Sequence, residues 1–92
     1  MLVATPTLQL TDRAPITVRV GGFKPHERVT VSVTSGRRWR KAGTTGARGV
    51  LVVTFPGTRL ALCAIYRLAA SGSKGDVARY TSPAAMCLPA SP

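Results

Sequence analysis

Acidic residues are nearly missing from this chain. Asp12, Glu27 and Asp76 are the only three among 92 residues, against thirteen lysines and arginines, so the formal net charge is +10. Asp12 and Asp76 fall in separate turns, and no Ser/His/Asp spacing, phosphate-cradling loop or metal-ligand quartet is present. Histidine occurs once, as His26, and cysteine twice, as Cys63 and Cys87, in neither a CxxC nor a Cys/His arrangement. No apolar run is long enough to span a bilayer. A length of 92 residues excludes a multidomain enzyme, and a 45% hydrophobic fraction excludes a wholly disordered chain. Aromatic residues make up only 5%, so Val, Ala and Leu must carry the core.

What is present is alternation with a period of two, and no helical stripe competes with it. Thr7–Leu10 reads as a first strand and 11–15 as a turn. Ile16, Val18 and Val20 share one face of a second strand, which Gly21-Gly22 ends, and Phe23 returns to the core before the turn at 24–27. Residues 29–34 alternate most cleanly. Ser35-Gly36 closes a hairpin whose return strand is 37–41. A turn at 44–49 leads into a strand at 50–55, stopped by Pro56-Gly57. The apolar run 60–70 is read as strand, with Tyr66, Leu68 and Ala70 alternating against Arg67, Ala69 and Ser71. A loop at 71–75 and a last strand at 77–81 follow. The core expected from this pattern is Leu8, Leu10, Ile16, Val18, Val20, Phe23, Val29, Val31, Val33, Val50, Val52, Phe55, Tyr66 and Leu68.

A Cys63–Cys87 bridge would close a loop of about 25 residues, worth on the order of 3–3.5 kcal/mol; the alternative is two buried, reduced thiols. The placement of Cys87 in a polar, Pro-rich stretch favours the bridge, and a bridge implies an oxidising compartment. The first six residues carry neither a basic n-region nor an apolar h-region, so export requires a signal that has been removed.

The segment Val18-Arg19-Val20-Gly21-Gly22-Phe23-Lys24-Pro25-His26-Glu27-Arg28-Val29-Thr30-Val31 resembles the V-x-V-x-G-x-GF-x-PGE-x-V-x-V stretch of bacterial immunoglobulin-like domains. Thr44-Thr45-Gly46-Ala47-Arg48-Gly49-Val50-Leu51 looks like their T-D-A-x-G-x-F turn. Cys63 to Gly75, with the later Cys87, is similar to small exported proteins of high-GC Gram-positive bacteria, in which two cysteines flank a final hairpin. The resemblance implies an immunoglobulin-like sandwich, export and a disulfide, and it carries no assigned activity. His26 departs from the usual glycine after Pro25, and Leu51 stands where an aromatic is common. The enediyne-chromophore carriers share the opening strand pattern, but they are generally acidic and have two disulfides.

The expectation is an all-β, immunoglobulin-like sandwich of about seven short antiparallel strands, one domain over residues 1–92 with an irregular Pro-rich tail from 82. No catalytic residue, metal or cofactor is expected. His26 beside Glu27 is read as a solvated pair on a turn, and Asp12 and Asp76 as acids bonding their own turns. The candidate binding residues are Arg37, Arg38, Trp39, Arg40 and Lys41, with Arg48 in the next turn. As a strand, the run puts Arg37, Trp39 and Lys41 on one face and Arg38 and Arg40 on the other. Such a strand suits phosphate pairing with aromatic stacking; the competing reading is protection of a sheet edge by charge. The other basic residues scatter along the sequence, which suggests a diffuse cationic surface. The expected function is a non-enzymatic, secreted or cell-surface binding module that engages an anionic polymer or a protein partner. The alternatives are a subunit that self-associates through strand edges and an intracellular nucleic-acid-binding small barrel.

Overall fold

A computed structural model describes residues 5–61 and 64–82. They form seven antiparallel strands and no helix: β1 (Thr7–Arg13), β2 (Ile16–Gly21), β3 (Arg28–Ser35), β4 (Arg37–Thr44), β5 (Leu51–Phe55), β6 (Arg67–Gly72) and β7 (Val77–Thr81). No helix among the described residues is long and apolar enough to cross a membrane. The strands make a three-stranded sheet of order β1-β2-β5 and a four-stranded sheet of order β4-β3-β6-β7. β4 approaches β5 on one flank and β1 approaches β7 on the other. Neither pair shares a ladder, so the two sheets stack as an open sandwich and do not close into a barrel. Cys63 and Cys87 lie outside the described residues, as does everything after Ser82.

The period-two pattern puts one face of each strand inside. Ile16, Val18 and Val20 of β2 face Val29, Val31 and Val33 of β3, all six fully buried. Phe23, Phe55, Leu60, Tyr66, Leu68, Ala70 and Ala78 complete the contact, while Leu8, Leu10, Trp39 and Leu51 pack against it from the margins. Two expectations are corrected in β5. Val52 is 55% exposed and Val53 is buried instead, while Val50 is only half-buried. Val52 pairs with Arg19, which faces outward on β2, and the pairing carries Val52 out with it.

The run 60–70 is strand only from Arg67. Before that the chain crosses from β5 in one sheet to β6 in the other. Leu60 plugs the end of the core while its N–H donates to the carbonyl of Arg13 at 2.8 Å. An apolar run was needed there, but no ladder. β1 also runs further than expected, through Arg13, with a register shift between Leu10 and Asp12. Ser82 is buried and tied down: its N–H donates to the carbonyl of Tyr66, and its hydroxyl accepts from the Tyr66 N–H, both at 2.9 Å.

At one end of the sandwich three connections meet around Glu27, which is fully buried. Its carboxylate accepts from the N–H of Lys24 at 2.9 Å and from the N–H of Lys74 at 2.8 Å. Its own N–H donates to the Thr45 hydroxyl at 2.8 Å, and that hydroxyl donates to the carbonyl of Lys24 at 2.7 Å. One side chain thus joins the β2–β3 turn to the β6–β7 hairpin, and Thr45 adds the start of the β4–β5 turn. Glu27 is therefore not the solvated turn residue expected from the sequence; only its neighbour His26 is exposed.

Candidate functional site

Strand β4 is the outer strand of the four-stranded sheet, and its side chains part to two sides. Arg37, Trp39 and Lys41 pair with Ser35, Val33 and Val31, so they share the side of the buried valines. There the Arg37 guanidinium lies 6.0 Å from the centre of the Trp39 ring. The Lys41 ammonium reaches across the flank to donate to the carbonyl of Thr54 on β5 at 2.9 Å. Trp39 is half-buried against the core. Lys41 thus ties β4 to β5 across the flank, and the Arg37 guanidinium lies over the aromatic ring. Arg48 stands in the turn beyond Thr44, exposed, at the end of the strand opposite Arg37.

Arg38 and Arg40 point the other way, onto the outer face of the sheet. The register shows what meets them there. Arg38 lies level with Thr34, Arg67 and Thr81; Arg40 lies level with Ser32, Ala69 and Arg79; Ala42 lies level with Thr30, Ser71 and Val77; and Thr44 lies beside Arg28. Arginines 28, 38, 40, 67 and 79 are therefore on one surface, all exposed. Three of them, Arg28, Arg67 and Arg79, belong to the set that scatters along the sequence. Their common feature is parity: each stands one position from a buried residue (Val29, Leu68 and Ala78) on its own strand. Linear spacing could not show the convergence, because the pairing of β3 with β6 and of β6 with β7 creates it.

Among the described residues, no carboxylate shares this surface. Asp12 accepts from the N–H groups of Arg13 and Ala14 in its own turn, at 2.7 and 3.3 Å, as expected. Glu27 is enclosed at the end of the sandwich. Asp76 sits in the β6–β7 turn, where its carboxylate forms an ion pair with Lys24 at 3.1 Å instead of the local turn bond expected from the sequence. Hydrogen bonding with the Glu27 carboxyl, and then with the Lys24 ammonium, holds the Asp76 carboxyl below the usual carboxylate range. On the far flank, burial and then the neighbouring Tyr80 push the Tyr66 phenol up, against the pull of the Arg13 guanidinium 5.7 Å from its ring.

Between the arginines the floor is made of small residues. An open depression of about 530 Å³ lies over Ser32, Thr34 and Ala69, bordered by Arg38, Arg67, Arg79 and Tyr80. A second, of about 200 Å³, continues over Thr30 and Ser71 toward Arg40 and shares Ser32, Ala69 and Arg79 with the first. Guanidinium groups rimming a hydroxyl-bearing floor can grip anionic oxygens through paired N–H donors. Comparison with protein-family models, with curated proteins and with solved structures finds no match for the chain.

Proposed function

We propose that the chain is a non-enzymatic, exported binding module of immunoglobulin-like architecture, and that the outer face of its four-stranded sheet engages an anionic polymer at the cell surface. The observation that carries this reading is the convergence of five arginines from four strands on a surface without a carboxylate. Edge protection accounts for charge on β4 but not for Arg67, because β6 is an interior strand. The only histidine does not face the neighbouring carboxylate, since Glu27 is occupied by two backbone N–H groups inside the fold. That leaves His26 without the adjacent carboxylate as an orienter.

The test compares two quadruple variants that lose the same charge. One carries Arg38→Gln, Arg40→Gln, Arg67→Gln and Arg79→Gln; the other carries Arg19→Gln, Arg37→Gln, Arg48→Gln and Arg59→Gln. On a polyanion column the sheet-face variant should elute at much lower salt than the control, which should stay close to the wild type. Co-elution of the two variants would mean that the charge acts diffusely and that this face is no site.

A further inference from the structure

The arrangement of the five arginines says more than that an anion is attracted. Arg38 and Arg40 form one rail on β4; Arg67 and Arg79 form the other on β6 and β7. Thr34 lies between Arg38 and Arg67, Ser32 and Ala69 lie between Arg40 and Arg79, and Thr30 and Ser71 continue the floor beyond them. Arg40 and Arg79 face each other across three strand spacings, about 14 Å between backbones. The gap is open along the floor, with arginine side chains at both borders. From the level of Thr34 to the level of Arg28 the floor runs for six residues, about 20 Å along the strands.

The face also lacks something. Its outward positions carry no aromatic ring: Trp39, the only tryptophan, is turned toward the core, Tyr66 is buried, and Tyr80, which borders the larger depression, has the parity of Leu68 and lies 6.0 Å from the Tyr66 ring. Proteins that hold single-stranded nucleic acid stack its bases on aromatic side chains, at about 1–3 kcal/mol per base. No outward position of this face offers that contact. Hydroxyl and guanidinium donors address the acidic backbone of a polymer and leave its substituents unread.

We infer that the trough between the two arginine rails takes a single extended phosphate-bearing chain of a non-nucleic polymer, lying along β3 and β6 and gripped through its phosphates alone. This rests on the polyanion-binding reading above and narrows it to one chemical class. Long-chain inorganic polyphosphate is the probe, measured against oligothymidylate of matched phosphate number and against heparin, with the whole chain in each case. With five arginines engaged, log K against log salt should fall with a slope near −3.5, or about 100-fold between 50 and 200 mM. Ala69→Glu places a carboxylate on the floor between the rails and should weaken polyphosphate more than about tenfold, whereas Ala69→Gln should not.

Oligothymidylate should bind no more tightly than polyphosphate. If it binds much more tightly, bases are read and the inference fails, although the face remains a polyanion site. If heparin is preferred, the phosphate class is wrong with the same reservation. Equal loss in Ala69→Glu and Ala69→Gln would remove the ligand from the floor. If no polyanion is held more tightly by the wild type than by the sheet-face quadruple variant, the inference and the proposed function fail together.

Discussion

His26 and Glu27, adjacent in sequence, do opposite things. His26 adopts φ +55°, in the left-handed region, and so fills the conformational role that glycine has in the turn it resembles. That conformation costs an ordinary residue about 1–2 kcal/mol, while glycine's freedom in the unfolded chain offsets about 0.5–1. His26→Gly should therefore stabilise the protein by about 0.5–1 kcal/mol, read as a higher urea midpoint with an unchanged slope. Glu27 needs its neighbour Gly72 to lack a side chain, because a Cβ there would collide with the Glu27 carboxylate. Glu27→Ala strands two backbone donors and should cost about 2–4 kcal/mol, a large part of the stability of so small a domain. Gly72→Ala should be costly alone and clearly cheaper in the Glu27→Ala background, and a double-mutant cycle in denaturant reads the coupling. Additive effects would mean that the two positions do not meet. Asp76 adds a pH dependence of known sign. Its folded value lies below its ordinary 3.8, so its contribution is complete above that value and lost as pH falls through the depressed one. Asp76→Asn should be less stable than the wild type at neutral pH, with the difference vanishing in strong acid.

The inward faces of β2, β3 and β6 were legible because polar residues separate the apolar ones: Thr17 and Arg19 in β2, Thr30 and Ser32 in β3, Arg67 in β6. β5 was not. Leu51, Val52 and Val53 are apolar in succession, and only Thr54 and Phe55 carry parity information. Replacing Val52 with Thr should change stability by less than about 0.5 kcal/mol, while Val53→Ala should cost about 2 kcal/mol in lost burial and cavity. The reverse order in a thermal melt would mean that β5 is displaced by one residue. The candidate site was half legible. Alternation within 37–41 separates Arg38 and Arg40 from Trp39, as the sequence indicated. Nothing local could say that Arg67 and Arg79 stand across from them, because the pairing of β3 with β6, between residues 33 to 43 positions apart, decides it. Glu27 was misread for a related reason: its partner Lys74 lies 47 residues on.

The charge of the whole molecule opposes its own compactness. Thirteen cations against three carboxylates leave +10 on 92 residues, and five of the cations crowd one sheet face. The Debye length shrinks from about 30 Å at 0.01 M to about 3 Å at 1 M salt, while neighbouring arginines on β4 are about 7 Å apart. Sodium chloride should therefore raise the urea midpoint of the wild type. The sheet-face quadruple variant should be more stable at low salt and less responsive to added salt. A midpoint indifferent to ionic strength would show that the arginines are too far apart or too well solvated to repel.

β6 lies between β3 and β7, with Arg67 outward and Leu68 inward. Sliding that strand by one residue against its neighbours would drive a guanidinium into the valine core and put a leucine in water. Both errors are expensive, and they occur together. The same reciprocity holds for Arg79 beside Ala78 and for Arg28 beside Val29. A misaligned copy of this sheet is thus rejected by the residues that would meet the ligand: the arginines proofread the pairing, and a chain that has folded out of frame has no surface with which to bind.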